Sequence, residues 1–401
     1  MRVRVILNEP FAGISNGWSL RYINLLVELL PHAELHVFAP GQAEALQKAL
    51  PGAHIYVTGD SQRAPAPKKN LLQFLRSLLN PQADNLQVNG FNFYPSLLEL
   101  LRQDKQSYDA DLLFHISGIV FYGSAANSPL RICDFCDSRI RALRSQMLTA
   151  KSLPARLMLK LDILYTRRIK QRLVPKGLKI VAITERDCDE VRNALPGFSV
   201  SCVPNGVRSL ERDQLEAEIP QRHASRQLIF FGTLNFAPNL DAAQRLLESI
   251  WPPVQRDRPD LELRIVGRHP TKGLQALASK TAGVHLDGDV PAIEPFLRSS
   301  VLSVCPMFMG AGIKNKILES LAVGLPIVAT REAVAGIEFV SGRHGWLAET
   351  PAELSRAILD GVRISAEDYR ALCLAAHDLA LRSSWASAAA PIVDLLKGTA
   401  K

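Results

Sequence analysis

Long apolar runs are missing from this 401-residue chain. None approaches the roughly 18 residues that a membrane-spanning helix needs, which excludes an α-helical span. The first seven residues lack a charged stretch followed by an apolar one and a cleavage site, so export is not expected and the expected location is the cytoplasm. A cysteine framework is missing too. The six cysteines, at 133, 136, 188, 202, 305 and 373, follow no disulfide spacing, and a cytoplasmic protein keeps them reduced. Cys133 and Cys136 form one C-x-x-C, but no second pair stands at zinc spacing, so neither a metal nor a redox role is expected of them. There is no G-x-x-x-x-G-K-[ST] and no G-x-G-x-x-G after a first strand, which counts against kinases, P-loop enzymes and standard dinucleotide enzymes.

What is present is the composition of a soluble globular protein, 47% hydrophobic and 21% charged, in a chain too long for one ordinary core. The excess of +8 is unevenly placed: between Arg139 and Lys179 stand twelve Lys or Arg and one acid, Asp162. Leucines, methionines and isoleucines are interleaved with them. Such a stretch suits either docking on an anionic membrane surface, peripheral to it, or the solvated face of a basic helix. Nucleic acid is not expected as a partner, since no recognised binding motif accompanies the charge.

Short apolar runs alternate with helical periods almost throughout. They fall at 3–7, 35–38, 55–57, 112–114, 131–133, 180–183 and 200–203, then at 228–231, 261–266, 284–286, 301–305, 327–329 and 346–347. Buried strands separated by helices predict an α/β protein with parallel sheets and right-handed crossovers. The acidic, polar stretch 208–226 lacks apolar periodicity and reads as a linker between two Rossmann-like doubly wound domains, 1–207 and 227–375, with a helical segment over 376–401. Two such domains facing across a cleft place ligands at the C-terminal ends of their strands. The segment 65–92, rich in Pro, Lys, Asn and Gln, reads as a mobile loop or small helix at the edge of the first domain.

Residues 310–330 carry the most chemistry. A strand, a glycine turn through Gly310 and Gly312, a short helix and a second strand follow one another, and Gly324 with Pro326 stops the helix. Acids normally collect at a helix N-terminus, yet here Ile313 is followed by Lys314, Asn315 and Lys316. That arrangement favours a docked anion, phosphate above all. Glu319 lies one turn further along on the polar face, where a carboxylate can accept a pair of hydroxyls. The plainer alternative is a surface helix with an i,i+3 pair between Lys316 and Glu319. Gly232 and Thr233 follow the first strand of the second domain and Gly267 and Arg268 its second, on the same predicted edge as Gly310. That clustering suits a diphosphate.

In the first domain Gly13, Ser15, Asn16 and Gly17 match G-x-S-x-G, but five residues separate the motif from the first strand. A serine hydrolase elbow needs the serine directly after a central strand, so a loop opening the next helix toward a ligand fits better. His115 ends a strand and reads as a base, an acceptor-binding group or a core histidine. Asp134, Asp137 and Ser138 follow the next strand, as groups for an acceptor hydroxyl or as a helix cap.

On these residues the chain resembles the GT-B-fold retaining glycosyltransferases of the family 4 type, in detail a subgroup of bacterial exopolysaccharide sugar transferases. The likeness runs through Phe231-Gly232-Thr233-Leu234, Asn239 to Pro252, Ile265-Val266-Gly267-Arg268, Gly310 to Thr330 and Gly336, more thinly through Asp134 to Ser138 and Pro204 to Val207, and through 385–396. It implies a hexosyltransferase for cell-surface polysaccharide, taking a nucleotide-diphosphate sugar without metal or cofactor and passing it to a saccharide or lipid-linked acceptor with retained configuration. It further implies Lys314 and Lys316 on the diphosphate, Glu319 on the ribose, and acceptor activation by a phosphate oxygen, Asp137 or His115. Ala311 stands where the family pattern has a glutamate, and Thr233 and Pro238 where it has Arg and Lys. A GT-B-like epimerase or a sugar-nucleotide sensor is the rival reading.

Overall fold

The computed structural model describes residues 1–14, 17–62, 64, 93–136, 140, 143, 144, 146, 147, 152–309 and 313–398. It divides into two compact units, Met1–Asn205 with Ala388–Lys401, and Gly206–Ser387. All thirteen apolar runs are strands. The first unit holds β1 (Arg2–Ile6), β2 (Glu34–Ala39), β3 (His54–Val57), β4 (Ala110–Phe114), β5 (Leu130–Asp134), β6 (Lys179–Ala182) and β7 (Ser199–Cys202). Their order in the sheet is β3-β2-β1-β4-β5-β6-β7. Every pairing is parallel, with Val5 opposite both Val37 and Leu112. These three side chains are fully buried, as strands covered on both faces require. Crossovers include α1 (Gly17–Leu29), α2 (Glu44–Ala49), α3 (Pro95–Gln103), α4 (His115–Tyr122), α5 (Leu153–Leu173) and α6 (Glu185–Ala194).

The second unit repeats the plan with six parallel strands, β8 (Gln227–Phe231), β9 (Glu262–Gly267), β10 (Val284–Gly288), β11 (Leu302–Cys305), β12 (Ile327–Ala329) and β13 (Gly345–Leu347), ordered β10-β9-β8-β11-β12-β13. Strand order reverses between β1 and β4 in one sheet and between β8 and β11 in the other. At such switch points the loops beyond the strand ends diverge and leave a crevice.

The stretch 208–226 is not a linker. Residues Arg212–His223 form helix α7, with Leu215 and Ile219 buried in the core of the second unit and Arg222 donating to the Val323 carbonyl at 2.6 Å. Two apolar residues four apart suffice for a docked face, and Pro220 together with the charges hides them from a periodicity count. The second unit begins at Gly206, where the Val207 N–H donates to the Ser383 carbonyl at 2.7 Å. Two helices occupy the C-terminal region, Ala366–Leu381 and Trp385–Lys397. The segment 65–92 lies outside the described residues.

Candidate functional site

The helix α8 (Asn315–Ala322) after β11 forms where the motif placed it. Ile317, Leu318, Leu321 and Ala322 face the core, and Ser320 ties the helix to β11 through Ser303 at 3.0 Å. Its first turn holds no acid, and Lys314 occupies the cap position without a side-chain cap. Lys316 and Glu319 form no ion pair within 4 Å, which disposes of the simple surface-helix alternative. Instead the Lys316 Nζ donates to Asn239 Oδ1 at 2.8 Å and sits 4.5 Å from the centre of the Phe230 ring. Asn239 is buried, and its amide nitrogen donates to the Thr233 carbonyl at 3.0 Å, so one asparagine joins the loop after β8 to the start of α8.

Two glycines make room for this arrangement. A Cβ on Gly232, whose φ is 148°, would lie 2.8 Å from Asn239 Nδ2 and 3.0 Å from the Lys316 ammonium. A Cβ on Gly267 would lie 1.8 Å from the Gly232 carbonyl oxygen. The ends of β8 and β9 thus touch backbone to backbone, with Gly232 donating to Val266 at 3.0 Å and Leu234 to Arg268 at 2.8 Å. Arg268 is half-buried beyond the end of β9.

Burial pushes the Lys316 ammonium below the usual lysine range, against the opposing pull of Cys305 and Glu319. Burial likewise raises the Glu319 carboxyl, opposed by Lys316. Glu319 accepts no hydrogen bond among the described residues. A lysine held by a neutral amide and a carboxylate without a donor are both desolvated without a matching charge, and an anion with adjacent hydroxyls would supply both partners. Lys314 is different. It is buried and paired with Glu332 at 3.1 Å, so its charge is already met by a carboxylate. Ile313 packs against the core and Asn315 opens the helix, while Gly310 and Gly312 lie outside the described residues.

In the first unit His115 heads α4 with φ at 66°, a conformation that costs a non-glycine residue about 1 kcal/mol or more. Its Nδ1 lies 2.8 Å from Ser117 Oγ, which accepts from Asn8 Nδ2 at 2.5 Å, and the Ser117 N–H also reaches Nδ1 at 3.3 Å. Because the Ser117 N–H donates to Nδ1, that nitrogen is an acceptor, so the hydroxyl donates to it and the proton of the neutral ring is assigned to Nε2. His115 thus has its Nδ1 taken up by Ser117. Trp18 packs edge-on at 4.8 Å, and Asn8 follows β1, so the group sits at the switch point of this sheet. Asp134 has a structural task. Fully buried, it pairs with Arg21 at 2.8 Å and accepts from the Cys136 N–H, while Arg21 also donates to Val203, Pro204 and Asn205. Gly13, with φ at 121°, and Gly17 flank the helix start, whereas Ser15, Asn16 and Asp137 lie outside the described residues. Glu332 and Asn8 were not singled out by sequence and Asn239 only as the start of a matching block, and their contacts disclose what each does.

Among the described residues two groups have ligand atoms close enough for a metal, Glu34 with His36 and His54, and Glu185 with Cys188 and Cys202. Both belong to the first unit. Cys133 and Cys136 are buried and form no disulfide, and burial raises the Cys133 thiol.

Residues 225–363, which span this edge of the second unit, match the family model described as glycosyl transferases group 1. No curated protein matches the chain. Among solved structures it is similar to sucrose-phosphate synthase of Thermosynechococcus elongatus (14% identity, 99% of this chain and 98% of that one, TM-score 0.67). It is also similar to WaaG, a glycosyltransferase involved in lipopolysaccharide biosynthesis (13%, 99% and 100%, 0.63), and to HepE of Anabaena in complex with UDP and glucose (14%, 99% and 100%, 0.62). The chain thus has the GT-B fold of two parallel-sheet Rossmann-like domains, and within its second unit residues 225–363 are similar to the group 1 glycosyl transferases.

Proposed function

We propose that this protein transfers a sugar, with retention of configuration, from a nucleotide-diphosphate sugar to a saccharide or lipid-linked acceptor during cell-surface polysaccharide synthesis. One observation carries the reading: a desolvated lysine, Lys316, held by a neutral amide between Gly232 and the first turn of α8, with the unbonded carboxylate of Glu319 one turn away. Lys316 and Arg268 hold the diphosphate, and Gly232, Thr233 and Gly267 let it approach the backbone. Lys314 orders the turn through Glu332 and adds its field at short range. Glu319 accepts from the ribose hydroxyls. HepE, bound to UDP and glucose, shows that a structure of this fold accommodates such a ligand pair.

Transfer breaks the bond between the anomeric carbon and the diphosphate oxygen and forms one to the acceptor hydroxyl. The negative charge that develops on the leaving oxygen is stabilised by Lys316 and by the N-terminus of α8. The acceptor proton passes to a phosphate oxygen. Side-chain cations do the work of a divalent ion here, so transfer should persist in excess EDTA. The test is nucleotide release from a panel of nucleotide sugars, with and without oligosaccharide or lipid-linked acceptors. Acceptor-dependent release supports the proposal; tight nucleotide binding with no turnover would favour a sensor, and sugar interconversion without transfer an epimerase.

A further inference from the structure

The longest described helix of the first unit, α5, turns Ile163, Tyr165 and Thr166 inward. Its other side does not look like a solvated face. Leu153, Leu157 and Leu164 are 80%, 59% and 50% exposed, and Met158 is 46% exposed. These are four of the nine exposed large hydrophobics among the described residues, gathered on one helix. At about 100° per residue the three leucines fall within about 40° of one another, a single stripe opposite the core. Arg156, Lys160 and Arg167 follow one margin of the stripe and Arg168 the other. Lys160 and Arg167 make no ion pair among the described residues. Along the helix six basic residues meet one acid, Asp162. Beside the first two turns lies an open depression of about 800 Å³ lined by Met147, Leu153, Pro154, Arg156, Leu157 and Lys160, apolar walls with two cations.

We propose that this face docks on an anionic bilayer surface, with the leucines at the boundary of headgroups and acyl chains and the cations over the headgroup phosphates. An interfacial helix has this distribution of leucine and cation. The charge selects the occupant. A two-fold contact between copies would set the same cations against each other, whereas an anionic surface complements them. No described helix is long and apolar enough to cross a membrane, so the contact is peripheral. The proposal stands on α5 alone and not on the transferase reading, and its test involves neither donor nor acceptor.

The full chain is sedimented with phosphatidylcholine vesicles and with vesicles containing about three-tenths phosphatidylglycerol. Binding is expected to the anionic vesicles only and to weaken with added salt. The double variants Lys160→Glu/Arg167→Glu and Leu157→Ser/Leu164→Ser change exposed side chains and should leave the circular dichroism unchanged, yet each should lower vesicle affinity by about tenfold or more. Absence of binding to the anionic vesicles, equal binding to both compositions, or full binding by both variants would overturn the proposal. So would self-association that the leucine variant abolishes, which would assign the stripe to a second copy.

Discussion

Replacing Lys316 with methionine separates a residue that holds an anion from one that holds the fold. The ammonium is held by a neutral partner, Asn239 at 2.8 Å, and the face of Phe230. Its lowered proton affinity means that these do not make up for lost water. Methionine keeps the volume and removes the charge. It also leaves Asn239 Oδ1 without its donor, a cost of about 1–3 kcal/mol that opposes the relief of the buried charge. The two terms nearly cancel, and unfolding stability should change by no more than about 1 kcal/mol. Binding has no such cancellation. Loss of a charge-assisted contact with the diphosphate costs about 1.5–3 kcal/mol, or roughly 10- to 150-fold in Kd.

The proton balance adds a second readout. Because the folded-state proton affinity lies below the unfolded one, the unfolded chain binds more protons between the two, so wild-type stability rises with pH across that alkaline window. The variant should lose this slope. A docked diphosphate restores the charged form, so binding at alkaline pH should take up protons in the wild type and none at this site in the variant. Urea unfolding from pH 7 upward, with calorimetric titration of nucleoside diphosphates in buffers of different ionisation enthalpy, measures all three. A variant that binds as tightly as wild type, or one destabilised by more than about 3 kcal/mol with binding retained, would refute the reasoning.

Further expectations follow from the same contacts. Glu319→Gln should weaken nucleotide binding about tenfold or more, since an amide accepts hydroxyls less strongly than a carboxylate. The raised Glu319 carboxyl stabilises the fold below the ordinary carboxylate range, and that contribution is lost as pH rises through its folded value. The glutamine variant should therefore be at least as stable as wild type at pH 7 in thermal melts, with the difference shrinking toward pH 4.5. Gly267→Ala drives a methyl into the Gly232 carbonyl and should cost about 3 kcal/mol in urea titrations, together with nucleotide binding. Asp134→Ala removes the buried carboxylate that pairs with Arg21 and should cost about 3–5 kcal/mol, lowering the melting temperature whatever ligand is added.

The sheets were legible because a parallel strand buried on both faces reads as a continuous apolar run; each of the thirteen runs is a strand, although the edge strands β3 and β10 are only half-buried. Helix α7 was not, since only Leu215 and Ile219 mark its buried face among charges and Pro220. The start of α8 was readable as a cationic helix terminus. Its partners were not: Asn239 precedes Lys316 by 77 residues, and Glu332 follows Lys314 by 18. Local spacing paired Lys316 with Glu319, and tertiary structure paired it elsewhere. The position of His115 at a strand end was likewise readable, while Ser117, which holds its ring, is itself held by Asn8, 109 residues away. Strand ends locate the chemistry, and long-range polar partners decide which side chains remain available for it.

The central claim is that the edge formed by Gly232, Gly267 and the first turn of α8 holds a nucleoside diphosphate. Its most direct measurement is calorimetric titration of UDP, GDP, ADP and dTDP into the wild type and into Lys316→Met. The account predicts that at least one diphosphate binds, that its nucleoside monophosphate binds far more weakly, and that the methionine variant loses most of the difference. Equal affinity for mono- and diphosphate, or a diphosphate affinity untouched by the substitution, would contradict it.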